Sequence, residues 1–359
     1  MKRLLIIAII ILVLAGLIIG SYFLYTKYWI KPSSSTSGSS AVTPPSSSTT
    51  SSKKGTLYIG IMVHLEGWND EGKQDIFKRH AEYVRDYASL FEKYGAKLTL
   101  ESSPEFTTGC IKWKDNVLKE MSDRGHGIGV HADVGAKTES YGDFVSQISQ
   151  MKKELESLNI TVRHTSGICS PLDWVNAAVD AGYKFVTGTI GYCAMSLPES
   201  ERPSQYKNCS NPVVCHGVMP LDLKDRIHPW RAESGKNWIY DNKNGKLVIL
   251  TESGGLIDMA EEGEGKIATK SSRRSNKNKA KEEFTKEDIT AYISELEKAI
   301  DLAESGKVNI FYVSWSLGSA LDKSTLEEWL KAIKPYVDAG KVQWKTLPEM
   351  YDAYITKEK

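Results

Sequence analysis

The sequence predicts an α/β protein: a distorted (β/α) barrel of seven or eight strands, preceded by one transmembrane helix and a Ser/Thr-rich linker. Short apolar, β-rich runs alternate with helical patterns from about Thr56 to Tyr354, which implies a parallel sheet covered by helices. Seven or eight such runs suit a closed barrel better than an open sheet. Imidazole and carboxylate side chains gather where those runs end, and the C-terminal ends of barrel strands are where sites are built.

The first residues are not globular. Leu4 to Leu24 is an uncharged, largely apolar run long enough to span a bilayer. Lys2 and Arg3 precede it, and Tyr22, Phe23, Tyr25, Tyr28 and Trp29 lie at its far end like an interfacial belt. A cleaved signal peptide is the competing reading, but the run exceeds a usual h-region and no small-x-small cleavage site follows. Residues 1–29 therefore read as an uncleaved signal anchor. Residues 30–54 are rich in Ser, Thr and Pro and read as a flexible stalk. Lys27 and Lys31 on the far side weaken the positive-inside signal, so the orientation rests on that stalk. The expectation is a single-pass protein of the cell membrane with residues 55–359 extracytoplasmic.

Within that domain, Thr56–Val63 reads as the first strand, followed by an amphipathic helix over Gln74–Tyr94 with Ile76, Phe77, Ala81, Val84, Tyr87, Leu90 and Phe91 on one side. Lys97–Glu101 is a second strand, Ile111–Arg124 a helix, and Gly125 its C′ residue. Ile128 and Val130 alternate as a short buried strand would, placing His131 and Asp133 on one face of its C-terminal end. A helix over Phe144–Leu158 and strands at Thr165–Cys169 and Lys184–Ile190 follow, with a short helix capped by Asp173 and closed by Gly182 between the strands. Residues 191–244 are irregular. Leu247–Thr251 is a later strand, Glu261–Glu283 a solvated charged loop, and Asp288–Ser305 a helix capped around Thr285. Val308–Trp315, a helix over Leu326–Ala339, Lys341–Lys345 and a helix near Pro348–Ile355 complete the chain.

Hydrophobic residues make up 41% and charged residues 25% of the chain, and the formal net charge is +1. That balance is ordinary for a globular domain and gives no reason to expect a nucleic-acid partner. The five cysteines form no CxxC pair, so a zinc-ribbon reading has no support. Outside the membrane one or two disulfides are expected, with Cys209 to Cys215, or either to Cys193, as the ways to staple one loop.

The stretch Gly125-His126-Gly127-Ile128-Gly129-Val130-His131 resembles the second motif of the polysaccharide deacetylase (NodB-homology) family. The resemblance implies a distorted, usually seven-stranded barrel, a divalent metal such as zinc, and a polysaccharide substrate. It also implies that His131 is a metal ligand and that His126 is not. Other motifs depart from the family. The position four residues after the metal-binding His, usually a second ligand His, is Gly135. At the end of the first strand His64-Leu65-Glu66-Gly67 stands where the family has two Asp before a Gly, so Glu66 matches the metal-binding Asp and Leu65 the base. Cys169-Ser170-Pro171 matches the Pro but not the Arg of the third motif. Val313-Ser314-Trp315-Ser316 lacks the late His, for which His216 or His228 are the available substitutes.

Metal-assisted deacetylation needs a cation held by His and carboxylates, a carboxylate base and an acid. The expected ligands are Glu66 and His131 with one of His64 or Asp133. His228-Pro229-Trp230-Arg231, with Trp68 and Trp315, has the look of a sugar-stacking group. Three functions fit: metal-dependent deacetylation of a surface glycan, a degenerate barrel that binds carbohydrate, and a glycoside hydrolase using two of Glu66, Asp133 and Glu252.

Overall fold

The computed structural model describes residues 54–66, 71–212, 215–219, 221–262, 284–317 and 321–358. The expected anchor, the stalk up to residue 53, and Trp68 lie outside these residues. So does all but the start of the charged stretch after Glu261. Among the described residues, no helix is long and apolar enough to cross a membrane.

The strands are β1 (Leu57–Leu65), β2 (Thr99–Ser102), β3 (Gly127–His131), β4 (His164–Ser166), β5 (Phe185–Val186), β6 (Trp230–Ala232), β7 (Leu247–Ile249), β8 (Asn309–Ser316) and β9 (Val342–Trp344). Their order in the sheet is β6-β7-β5-β4-β3-β2-β1-β8, with β9 pairing the start of β1. Every pairing is parallel except that of β6 with β7. The chain beyond β7 then meets β8. Ser253 N–H donates to the Tyr312 carbonyl at 2.9 Å, Ser314 N–H donates to the Gly254 carbonyl at 3.2 Å, and Gly255 bridges to Ser314 in parallel. These bonds curl the sheet towards a barrel.

The described helices are α1 (Gln74–Glu92), α2 (Pro104–Trp113), α3 (Val117–Asp123), α4 (Tyr141–Glu156), α5 (Trp174–Asp180), α6 (Leu223–Arg226), α7 (Met259–Glu262), α8 (Lys286–Leu302), α9 (Lys323–Asp338) and α10 (Leu347–Lys357). The alternation of β1 sorts its side chains into two layers. Leu57, Ile59, Ile61, Val63 and Leu65 face outward into one core with Phe77, Val84 and Phe91 of α1. Met62 faces inward and joins Phe185, Val248, Ile310 and Tyr312 in the barrel interior. Leu347, Met350 and Tyr354 of α10 belong to the same interior cluster and floor it at the N-terminal ends of the strands.

Several boundaries differ from those the sequence suggests. The single helix expected over Ile111–Arg124 is two helices, because Lys114 adopts φ +56° and Asn116 caps a new start by accepting from Lys119 N–H. The second of them ends as expected. Gly125 has φ +87°, its N–H donates to Ser122 O, and His126 N–H donates to Met121 O, the paired bonds of a Schellman end. Thr285 and Asp173 both cap as expected. Antiparallel β6 lies in the stretch that reads as irregular. Its three residues are too few to show a period. The disulfides are Cys209–Cys215 and Cys169–Cys193, and Cys110 is a buried free thiol. The second bridge ties the chain after β4 to the Gly191–Ser196 turn, two segments that only the fold brings together.

Candidate functional site

Strand register builds a polar layer at the mouth of the barrel. His64 of β1 is the cross-strand partner of Glu101 of β2, and His131 of β3 is the partner of Ser166 of β4. Gly129 lies one pair below His131, where a Cβ would sit 2.2 Å from Nε2 of His164. Glycine there admits the fully buried His164 ring, which stacks on Phe185 with centroids 4.6 Å apart.

The layer holds two imidazoles between two carboxylates. The His64 and His131 rings stack with centroids 4.0 Å apart and planes 22° apart. His131 Nε2 lies 2.9 Å from Glu66 Oε2, and His64 Nδ1 lies 3.5 Å from Glu66 Oε1. On the inner side, His64 Nε2 lies 3.2 Å from Glu101 Oε2 but is not aligned for a hydrogen bond, leaving a buried ring nitrogen without one. Glu101 is wholly buried and locked. Ser166 Oγ donates to its Oε2, Thr187 Oγ1 donates to its Oε1, and His164 Nε2 stands 3.4 Å from Oε1.

These contacts fix the His131 tautomer. The Ser166 hydroxyl spends its one proton on Glu101, so at 2.8 Å it accepts from Nδ1–H of His131. The lone pair on a neutral His131 Nε2 then faces the Glu66 carboxylate, an arrangement that needs a proton or a cation between the two. Electrostatics agree. Burial works against a charged His64, but the carboxylates of Glu101 and Glu66 outweigh it and raise its pKa to about 10. Burial likewise works against the two carboxylates. His131 and His64 nevertheless hold Glu66 well below the usual carboxylate range, and His64, His164 and Ser166 bring Glu101 down to about 2.

His64, Glu101 and His131 each offer a ligand atom, all within 4.8 Å of one another. Two imidazoles with carboxylate oxygens are a donor set that zinc and similar divalent ions accept. The orphaned His64 nitrogen and the opposed His131–Glu66 pair both fit such an ion. The cluster forms the base of a cavity of about 360 Å³ that also reaches Asp133, His216, Glu252 and Trp315.

Of the residues the sequence singles out, Glu66, His64 and His131 come together. Asp133 reaches the cavity rim in a left-handed conformation, φ +46°, with an exposed side chain 3.0 Å from Lys137. Glu252 is buried in the cavity wall and Trp315 lines it beside Phe91. His228, Trp230 and Arg231 lie elsewhere. His228 Nδ1 is 3.2 Å from the Val308 carbonyl, just before β8, whereas the cavity is lined by Ser314 to Ser316 at the far end of that strand. Six residues of strand separate the two, roughly 20 Å. His126 holds α1 to β2: its Nδ1 accepts from Leu98 N–H at 2.9 Å and its Nε2 meets Glu92 Oε1 at 3.2 Å. Sequence reasoning missed Glu101, Ser166, Thr187 and His164. The available signal was Glu101 itself, a carboxylate closing an apolar strand just as His131 does.

No family model matches the sequence, and no curated protein matches it. Among solved structures, the chain is similar to PuuE allantoinase, at 10% identity over 83% of this chain and 90% of that one, with a TM-score of 0.48. It is similar to a putative polysaccharide deacetylase from Mycobacterium smegmatis, at 13% identity over 87% and 98% of the two chains, TM-score 0.44. It is also similar to a CE4 family pseudoenzyme from Bacillus anthracis, at 10% identity over 82% and 65%, TM-score 0.36. A mutant of a CE4 family pseudoenzyme is matched over 45% of its length, at 17% identity and TM-score 0.29. The solved structures this chain resembles thus include a putative polysaccharide deacetylase and pseudoenzymes of the CE4 family.

Proposed function

We propose that this chain is a metal-dependent hydrolase that removes acetyl groups from a surface glycan, held at the cell membrane by residues 1–29 with its barrel on the extracytoplasmic side. One observation carries the reading: His64, Glu101 and His131 converge at the base of an open cavity, with Glu66 beside them on its accessible side. The donor set suits zinc. A bound divalent ion supplies a polarised carbonyl and a more acidic water.

The chain's own residues do the rest. Glu101, locked by Ser166 and Thr187, and His131, oriented by Ser166, are ligands that need little rearrangement. Glu66 is the carboxylate of the cluster that borders the cavity, beside His64 and His131, which makes it the base that takes a proton from the attacking water. His216, Glu252 and Trp315 form walls against which a sugar unit can rest. Two disulfides agree with an oxidising compartment.

A second reading, glycan binding without turnover, is favoured by Leu65. The residue at the family's base position is buried in the outer core rather than in the cavity. Acetate release from N- and O-acetylated glycans by the zinc-loaded chain separates the two. Release that disappears in Glu66→Gln supports hydrolysis. Glycan binding with no acetate released supports the second reading.

A further inference from the structure

The aromatic group His228-Pro229-Trp230-Arg231 stands out in the sequence and takes no part in the mouth. It borders a cavity of its own, about 650 Å³, at the floored end of the barrel. Tyr240 stands at this cavity and is 56% exposed, more than any other large apolar or aromatic side chain among the described residues. Tyr240 thus presents an open aromatic face at a concave, partly apolar site with a few polar groups, the composition small-ligand sites use.

The ring is presented by a rigid support. Asn242 N–H donates to the Arg231 carbonyl at 2.9 Å, and Asp241 Oδ1 accepts from Arg231 N–H at 3.1 Å. The Asn242 amide donates to Glu233 at 2.7 Å, and Tyr240 N–H donates to the Asn237 carbonyl at 3.0 Å. Below, Trp230 Nε1 donates to the Trp238 carbonyl at 2.6 Å, so the floor is also fixed. A preorganised surface binds without first having to order itself.

The lining selects the ligand. Asp225, Asp241 and Glu358 line the cavity along with Lys307 and Lys357. Glu358 is paired with Arg231 and Lys307 with Glu304, whereas Asp225 and Asp241 have no ion-pair partner among the described residues. A lipid chain would strip water from those carboxylates with no hydrogen bond in return. A polyanion would meet three carboxylates against two lysines, one of which is already paired with Glu304. A neutral saccharide offers an apolar ring face to Tyr240 and hydroxyl donors to Asp225 and Asp241.

We propose that this cavity is a second saccharide-binding site, centred on Tyr240 at the opposite end of the barrel from the mouth, which grips a neutral segment of glycan. Its place as an accessory to turnover rests on the function proposed above. The grip itself does not.

The test is calorimetric titration of the whole chain with a β-linked N-acetylglucosamine hexasaccharide, with acetate release followed in parallel, for wild type, Tyr240→Ala and Tyr240→Phe. The expected result is two sites in wild type, one of them weakened about tenfold or more in Tyr240→Ala, the scale of a lost aromatic stacking contact, and kept in Tyr240→Phe. A single site that is lost in Tyr240→Ala with no acetate released would uphold this site and overturn the hydrolase. Titrations of Tyr240→Ala that match wild type, or no binding by wild type, would overturn the second site whatever the mouth does.

Discussion

Nε2 of His131 lies 2.9 Å from Oε2 of Glu66, and because Ser166 accepts the proton of His131 Nδ1, that contact sets a ring lone pair against a carboxylate. A second imidazole lies close by, where His64 Nε2 stands 3.2 Å from Glu101 Oε2. Two imidazole nitrogens aimed at two carboxylates describe a site built around positive charge.

Glu101 and Glu66 should separate by function. Glu101 is buried, locked by Ser166 and Thr187 and within 4.8 Å of a nitrogen of each ring, whereas Glu66 borders the cavity. Glu66→Gln should keep the metal and lose acetate release by roughly 10²–10⁴-fold, the scale of a general base. Ser166→Ala should instead weaken metal affinity by roughly 10–100-fold, as loss of a residue that orients ligands does. Equilibrium competition with a chelating dye measures the second effect and initial rates the first. Equal metal loss in both variants would contradict this division.

Leu65 should not be convertible into a base. It shares the helix-facing side of β1 with Ile61 and Val63 and is fully buried, while His64 and Glu66 share the other side. Leu65→Asp should bury an unpaired carboxylate and cost about 3 kcal/mol or more, with no gain in turnover. Denaturant titration and acetate release read both outcomes. A stable variant with raised activity would show that the side chain reaches the cavity.

The mouth was only half legible in the sequence, for a physical reason. His131, Glu66 and His64 sit where period-two alternation meets a strand end, so their direction follows from local pattern. Glu101 also ends a strand, yet its role depends on register: it matters because β1 sets His64 opposite it and β4 brings Ser166 to its carboxylate. Register between strands distant in sequence leaves no local mark. His228, Trp230 and Arg231 were grouped with the mouth on chemistry alone, and the length of β8 separates them from it. The helix break at Lys114 escaped because a lysine at φ +56° has no glycine to announce it.

His126 should make the fold acid-sensitive. Its Nδ1 accepts from Leu98 N–H, which only the neutral ring can do, and burial, against the pull of Glu92, lowers its pKa from 6.5 to about 4. The unfolded chain takes up that proton first as pH falls. The stability from the neutral ring is therefore complete above about pH 6.5 and lost as pH falls through the folded value near 4. Over that window His126→Asn should flatten the fall in unfolding free energy by about 3 kcal/mol. Urea titrations at a series of pH values measure it. An unchanged slope in the variant would assign the acid sensitivity elsewhere.

The most direct measurement is the metal content of the purified chain after zinc is offered and excess removed, for wild type, His131→Ala and Glu101→Gln. The account predicts about one zinc per wild-type chain, the stoichiometry of a mononuclear site, and loss of that ion in both variants with the fold retained. Wild-type chain that stays free of metal under these conditions, or variants that keep the ion, would contradict a cation site formed by His64, Glu101 and His131.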